Sequence, residues 1–147
     1  VPFYKYPKRK DFTDMQLALA VAESKGATHI YFIGSLGGRL DHTLSNLYCC
    51  IDLVQKGKRI IHYHPDYQVY IINSRLELSG TVGDIVSVMS LTDIARGVIE
   101  EGFEYPLQDV VLEKSNPYAI SNVMQAATAT IQVRQGMLAV FHYPQST

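Results

Sequence analysis

The stretch TDMQLALAVAESKGATHIYFIGSLGGRLDHTLSNLYCCIDLVQKGKRIIHY, residues 13–63, decides how the chain begins. Thr13, with Gln16 three positions on, has the form of a capping box, and the helix formers up to Lys25 predict a helix that Gly26 ends. The short apolar and aromatic run from Ala27 to Ile33 reads as a buried parallel strand. After the glycine-bearing turn Gly34–His42, residues Leu44, Leu47, Tyr48, Ile51 and Val54 recur at spacings of three and four, which predicts a second helix over Thr43–Lys56. Gly57 closes that helix, and Arg59–Tyr63 reads as another buried strand. The result is a strand–helix–strand unit with a right-handed crossover.

Beyond His64-Pro-Asp66 the punctuation changes. Short strand-like runs follow at Gln68–Ile72, Arg75–Leu78, Ile85–Leu91, Gly97–Glu101, Val110–Leu112, Thr128–Val133 and Met137–Tyr143. Turn signals such as Ser79-Gly80, Asn116-Pro117 and Gln135-Gly136 separate many of them. This spacing suits an antiparallel sandwich better than more α/β units. The expected fold is therefore α/β plus all-β: a partial Rossmann-like parallel α/β domain over residues 1–64, then an antiparallel, jelly-roll-like β-sandwich over residues 65–147.

Composition narrows the function classes. Of 147 residues 47% are hydrophobic, enough for a real core, and 13 basic against 14 acidic side chains leave a net charge of −1. That balance fits neither a disordered segment nor a basic nucleic-acid-binding domain. The most apolar stretches, Ala27–Leu36 and Val82–Leu91, fall well short of the ~20 residues that span a bilayer. The two adjacent cysteines, Cys49 and Cys50, offer no disulfide framework or zinc site, and the amino end carries no apolar signal region. A reduced, cytoplasmic protein is expected, without nucleic acid or membrane as partner.

Three constellations carry chemistry. In the first, Lys10-Asp11-Phe12-Thr13-Asp14 gathers carboxylates and a hydroxyl at a helix start, where free N–H groups and the positive dipole end meet. Such a terminus can hold phosphate, and Asp11 or Asp14 can hold the Mg²⁺ that phosphates bring; ordinary capping is the competing reading. The second is Gly34–His42, at the carboxyl end of a strand, where open α/β sheets bind ligands. Gly37 and Gly38 allow a close backbone approach, Arg39 offers a fork of donors for phosphate, and Asp41 can orient a hydroxyl or support the metal. Here a plain strand-to-helix turn with Asp41 as N-cap competes evenly. The third is Pro117–Asn122, where Ser121 and Asn122 can hydrogen-bond a small ligand and Tyr118 can stack on it, against a default of plain loop. His29, His62 and His142 lie in strand patterns that favour structural roles, and Cys49 and Cys50 read as core.

Taken together, KDFTDMQLALAVA, GSLGGRLDHTLSNL, the G-D-x-V-S segment Gly83–Ser87, GFEYPL at Gly102–Leu107 and ISN at Ile120–Asn122 resemble the thiamine pyrophosphokinase family. Order and spacing agree along almost the whole chain. The resemblance implies transfer of a pyrophosphoryl group from ATP to the thiamine hydroxyl, giving thiamine diphosphate and AMP. It implies Mg²⁺ as cofactor and a homodimer whose active sites are shared between subunits. It places Asp14, Arg39 and Asp41 at the reaction centre and Lys10, Thr13, Gly37, Gly38 and His42 on the ATP side. Ser121 and Asn122 fall on the thiamine side, and Asp14 with Asp11 at the metal. The family's upstream G-D-x-D-S segment does not occur in these residues, so a C-terminal portion of a longer enzyme is expected. Ala119 stands ahead of Ile-Ser-Asn where many relatives have glycine or a polar residue. A non-catalytic relative or fragment that binds thiamine or its diphosphate is the alternative.

Overall fold

A computed structural model of the protein describes residue 3 and residues 12–145. Lys10 and Asp11, two of the expected site residues, lie outside the described residues. Helix α1 (Asp14–Ser24) opens on the expected capping box: Gln16 N–H donates to Thr13 Oγ1 at 3.2 Å, and Thr13 N–H to Gln16 Oε1 at 2.8 Å. Strand β1 (His29–Ile33) follows, then α2 (Leu40–Tyr48), α3 (Ile51–Gln55) and β2 (Arg59–Tyr63). The single helix expected over Thr43–Lys56 thus starts earlier and breaks at Cys49–Cys50. Both thiols there turn back to the Asn46 carbonyl, at 3.3 and 3.2 Å.

The remaining strands are β3 (Gln68–Ile72), β4 (Arg75–Ser79), β5 (Ile85–Ser90), β6 (Ile94–Glu101), β7 (Leu107–Glu113), β8 (Asn122–Val123), β9 (Thr128–Gln132) and β10 (Leu138–Tyr143). They form a six-stranded mixed sheet, ordered β1-β2-β3-β10-β5-β8, and a four-stranded antiparallel sheet, ordered β4-β9-β6-β7. Within the first, β1 and β2 are parallel with Ile33 beside Tyr63, and β3 joins β2 antiparallel with Gln68 beside Tyr63. This sheet runs on without interruption past residue 64. The fold is a β-rich sandwich with a small α/β part.

Alternation along the shared strands builds two cores on one sheet. From β3 and β10, Val69, Ile71 and Ala139 face the helices and pack with Leu19, Leu36, Leu47, Leu53 and Ile60. Leu138 and Val140 face the other way and join Leu78, Val98, Met124 and Ile131 inside the sandwich. The expected burial of β1 is corrected: it is an edge strand in which only Ile30 is buried, while Ile33 is 87% exposed. Apolar composition predicted a strand covered on both faces, but the helix-side core takes only the face of Ile30 and Phe32, and among the described residues nothing covers the face of His29, Tyr31 and Ile33.

Candidate functional site

Because β1 and β2 are parallel, the segments that follow them leave the same end of the sheet. After β1 the backbone turns through Gly37 (φ +91°) and Gly38 (φ +67°), a left-handed path that residues with a Cβ rarely follow. Two buried residues hold the turn down. Leu36 enters the helix-side core, and Ser35 is bonded twice: its hydroxyl lies 2.7 Å from His62 Nδ1, and its carbonyl accepts from Asn46 Nδ2 at 2.7 Å.

His62 is fully buried on β2, stacked on Phe32 with ring centroids 4.7 Å apart, and its Nε2 is 3.4 Å from Cys50 Sγ. Burial pushes its pKa down to about 4. The ring is therefore neutral at pH 7 and spans a hydroxyl and a thiol without bringing charge into the core. The neighbouring Cys49 sulfur and burial push the Cys50 thiol up, so it stays protonated.

At the start of α2 the turn meets Arg39, which occupies the N-cap position in extended conformation with no side-chain cap bond. Asp41, the alternative N-cap of the sequence reading, instead sits in the first helical turn. Arg39 holds it with two bonds, Nε to Oδ1 at 3.1 Å and Nη2 to Oδ2 at 2.5 Å. This fork holds the Asp41 carboxyl below its ordinary value, so it is anionic at neutral pH. Both side chains are exposed, at 73% and 61%, so solvent screens the pair and an anionic ligand can compete for the guanidinium. His42 is exposed beside them.

Thr13 Oγ1 accepts the cap bond of α1, which leaves its hydroxyl hydrogen to donate, and Asp14 lies exposed in the first turn. With 11 residues α1 is roughly 16 Å long, and β1 with 5 is about as long. A tight turn at Gly26 joins the two, its N–H donating to the Glu23 carbonyl at 2.9 Å, so the chain reverses between α1 and β1. Among the described residues no group of three or more His, Cys, Asp or Glu side chains is placed to hold a metal ion.

Ser121 and Asn122 stand elsewhere. They lie beside β5, where Val86 pairs with Asn122, at the edge opposite β1. Five interstrand steps separate the two edges, about 24 Å at the usual spacing. Ser121 has φ +59°, rare for a residue with a side chain, and its N–H donates to Ser87 Oγ at 3.0 Å. Asn122 is buried and fully engaged within the protein. Its amide donates to Glu100 Oε2 at 3.0 Å and the Tyr105 carbonyl at 2.8 Å, and its Oδ1 accepts from the N–H groups of Tyr105 and Val123. It therefore ties the GFEYPL segment to the ISN loop and leaves Ser121 as the exposed polar residue of that loop. Tyr118 donates its hydroxyl to the Val111 carbonyl at 3.2 Å.

The structure thus brings Gly37, Gly38, Arg39, Asp41 and His42 to one sheet end, leaves Asp14 in the first turn of α1, and sets Ser121 and Asn122 apart from them. The structural role expected of His62 holds, but its partner Ser35 and the support from Asn46 were not foreseen. The available signal was His62 and His64 at alternate positions where β2 ends, a spacing that puts both rings on one side.

Comparison with known proteins follows the same division. Residues 1–62 match the family model described as thiamin pyrophosphokinase, catalytic domain, and residues 69–138 the one described as thiamin pyrophosphokinase, vitamin B1 binding domain. The thiamine pyrophosphokinase of Bacillus subtilis (strain 168) is 26% identical over 143 residues, covering 90% of this chain and 63% of the relative. A crystal structure of thiamine pyrophosphokinase from Bacillus subtilis superposes with TM-score 0.84 at 23% identity, over 94% of this chain and 66% of that one. One from Geobacillus thermodenitrificans gives 0.81 at 23%, over 97% and 66%. The chain therefore spans under two thirds of the length of the curated relative. With both domain models of one family matched in order along most of its length, the chain belongs to the thiamin pyrophosphokinase family.

Proposed function

We propose that this chain serves the transfer of a pyrophosphoryl group from ATP to the hydroxyl of thiamine, giving thiamine diphosphate and AMP. The observation that carries the reading is the exposed Arg39–Asp41 fork on a glycine turn at the carboxyl end of two parallel strands. In this reaction the thiamine oxygen forms a bond to the β-phosphorus of ATP, the bond from that phosphorus to the oxygen bridging to the α-phosphorus breaks, and AMP leaves with that oxygen. The hydroxyl proton passes to a carboxylate or to water. Such transfers depend on positioning and charge neutralisation more than on covalent work by the protein. Arg39 exchanges Asp41 for phosphate oxygens, the turn of Gly37 and Gly38 gives them room, and His42 and Lys10 add to the ATP side with Thr13. Asp41, released from Arg39, faces the reacting hydroxyl.

Mg²⁺ enters this reading with the nucleotide, through Asp14 and Asp11. It usually takes one or two carboxylates plus phosphate oxygens, so these two carboxylates would hold it together with the nucleotide and it would neutralise the phosphate charge there. Residues 1–64 form the ATP side, and 65–147 the thiamine side and the dimer contact. The glycine turn and Ser121 belong to opposite edges of the six-stranded sheet in one chain, which supports a homodimer with shared sites, because a second copy can supply the distant loop. A cytoplasmic setting, where ATP is abundant, suits the reaction.

The test is incubation with ATP, Mg²⁺ and thiamine, for this chain and for the longest product of its gene, with mass spectrometry of the products. AMP and thiamine diphosphate in equal amounts are expected. Binding of thiamine with no product from either protein would leave the binding-only relative, and ADP in place of AMP would overturn the reaction class.

A further inference from the structure

The segment that follows β2 places His64 beside the glycine turn. A Cβ built on Gly37 would lie 3.6 Å from His64 Nε2 and 3.8 Å from Cδ2, so the ring edge faces the backbone of that turn. Three features fix the ring. It stacks on Tyr67 with centroids 4.5 Å apart and planes 24° from parallel, and Tyr67 in turn meets Tyr143 at 5.1 Å. The Asp66 backbone N–H donates to His64 Nδ1 at 3.2 Å, while the Asp66 carboxylate stands 3.5 Å from the same nitrogen. When Nδ1 accepts, a neutral imidazole carries its hydrogen on Nε2. That hydrogen points toward the glycine turn, and Nε2 makes no hydrogen bond among the described residues. The side chain is 26% exposed, enough for a ligand to reach it.

We propose that His64 is a substrate-binding residue whose Nε2–H donates to an oxygen of the phosphate chain held over Gly37 and Gly38. This rests on the function proposed above and deepens it. Arg39 approaches from the helix start and His64 from the end of the neighbouring strand, so the turn is flanked by donors on two sides. Glycine at 37 suits the left-handed backbone there, and a Cβ in its place would stand in ordinary contact with the ring edge, on the side where the phosphate is proposed to lie.

The test is calorimetric titration of the chain with ATP, with inorganic pyrophosphate and with adenosine, in wild type, His64→Phe and His64→Gln. Phenylalanine keeps the stack on Tyr67 and removes the donor, whereas glutamine restores an N–H at similar reach. Expected is a loss of about tenfold or more in affinity for ATP and pyrophosphate in His64→Phe. Recovery in His64→Gln and unchanged adenosine binding complete the expected pattern. In wild type, adding pyrophosphate should shift the His64 ring protons in NMR spectra and leave those of His29 in place, a reading that needs no variant to fold. Equal pyrophosphate affinity in wild type and His64→Phe, or a loss confined to adenosine, would overturn the role of His64 while the function stands. Failure of wild type to bind either phosphate ligand would overturn both.

Discussion

His62 Nδ1 lies 2.7 Å from Ser35 Oγ, so one buried hydrogen bond across 27 positions fastens the glycine turn to the strand beside it. Ser35→Ala leaves that nitrogen unpaired in a site closed to water. A loss of about 1–3 kcal/mol in unfolding free energy is expected, read from urea titrations. An unchanged midpoint would mean that Asn46 and Leu36 hold the turn without it.

Asp14 and Asp41 stand exposed at helix starts, and neither supports a core. Asp14→Asn and Asp41→Asn are expected to lower turnover by orders of magnitude in the active protein at nearly unchanged melting temperature. Near-normal turnover in both would remove them from the reaction.

Glu100 is fully buried inside the sandwich with Oε1 unpartnered, and burial raises its pKa to about 7 even though Asn122 bonds the charged form. Between its ordinary value of 4.5 and about 7 the unfolded chain has released a proton that the folded chain keeps. The unfolded state then binds fewer protons, so stability falls as pH rises through this window, by up to about 3 kcal/mol. Glu100→Gln removes the titration. Its advantage over wild type should be small at pH 4.5 and largest above pH 7, measured by denaturant unfolding; an advantage that does not change with pH would contradict the assignment.

Gly80 has no room for a side chain. A Cβ there would stand 2.7 Å from Asp84 Oδ2 and 2.8 Å from Met124 Sδ, against the buried Asp84–His142 pair. Burial alone would raise Asp84, but N–H groups of Gln145 and Thr81 together with the His142 ring outweigh it and keep the carboxyl below its ordinary value. Gly80→Ala should cost about 1–3 kcal/mol. Thermal unfolding reads it, with Gly57→Ala, which meets nothing within 4 Å, as the control for backbone strain alone.

What the sequence determined by itself was local. The Thr13–Gln16 cap, the strands Arg59–Tyr63 and Gln68–Ile72, and the glycine turn between a strand and a helix were all legible, because each follows from side chains within a few positions of one another. The ordered motifs also pointed to the family. The tertiary structure decided matters of long range: that β1 is an edge with Ile33 in the open, that β10 serves two cores at once, that the helix breaks where Cys50 reaches His62, and that Asn122 spends its amide on Tyr105 and Glu100. Strand order and buried pairing join residues tens of positions apart. No local period or propensity encodes which strand lies beside which, and so the distance between the glycine turn and the ISN loop, and the place of His64 against Gly37, emerge only once the sheet has assembled.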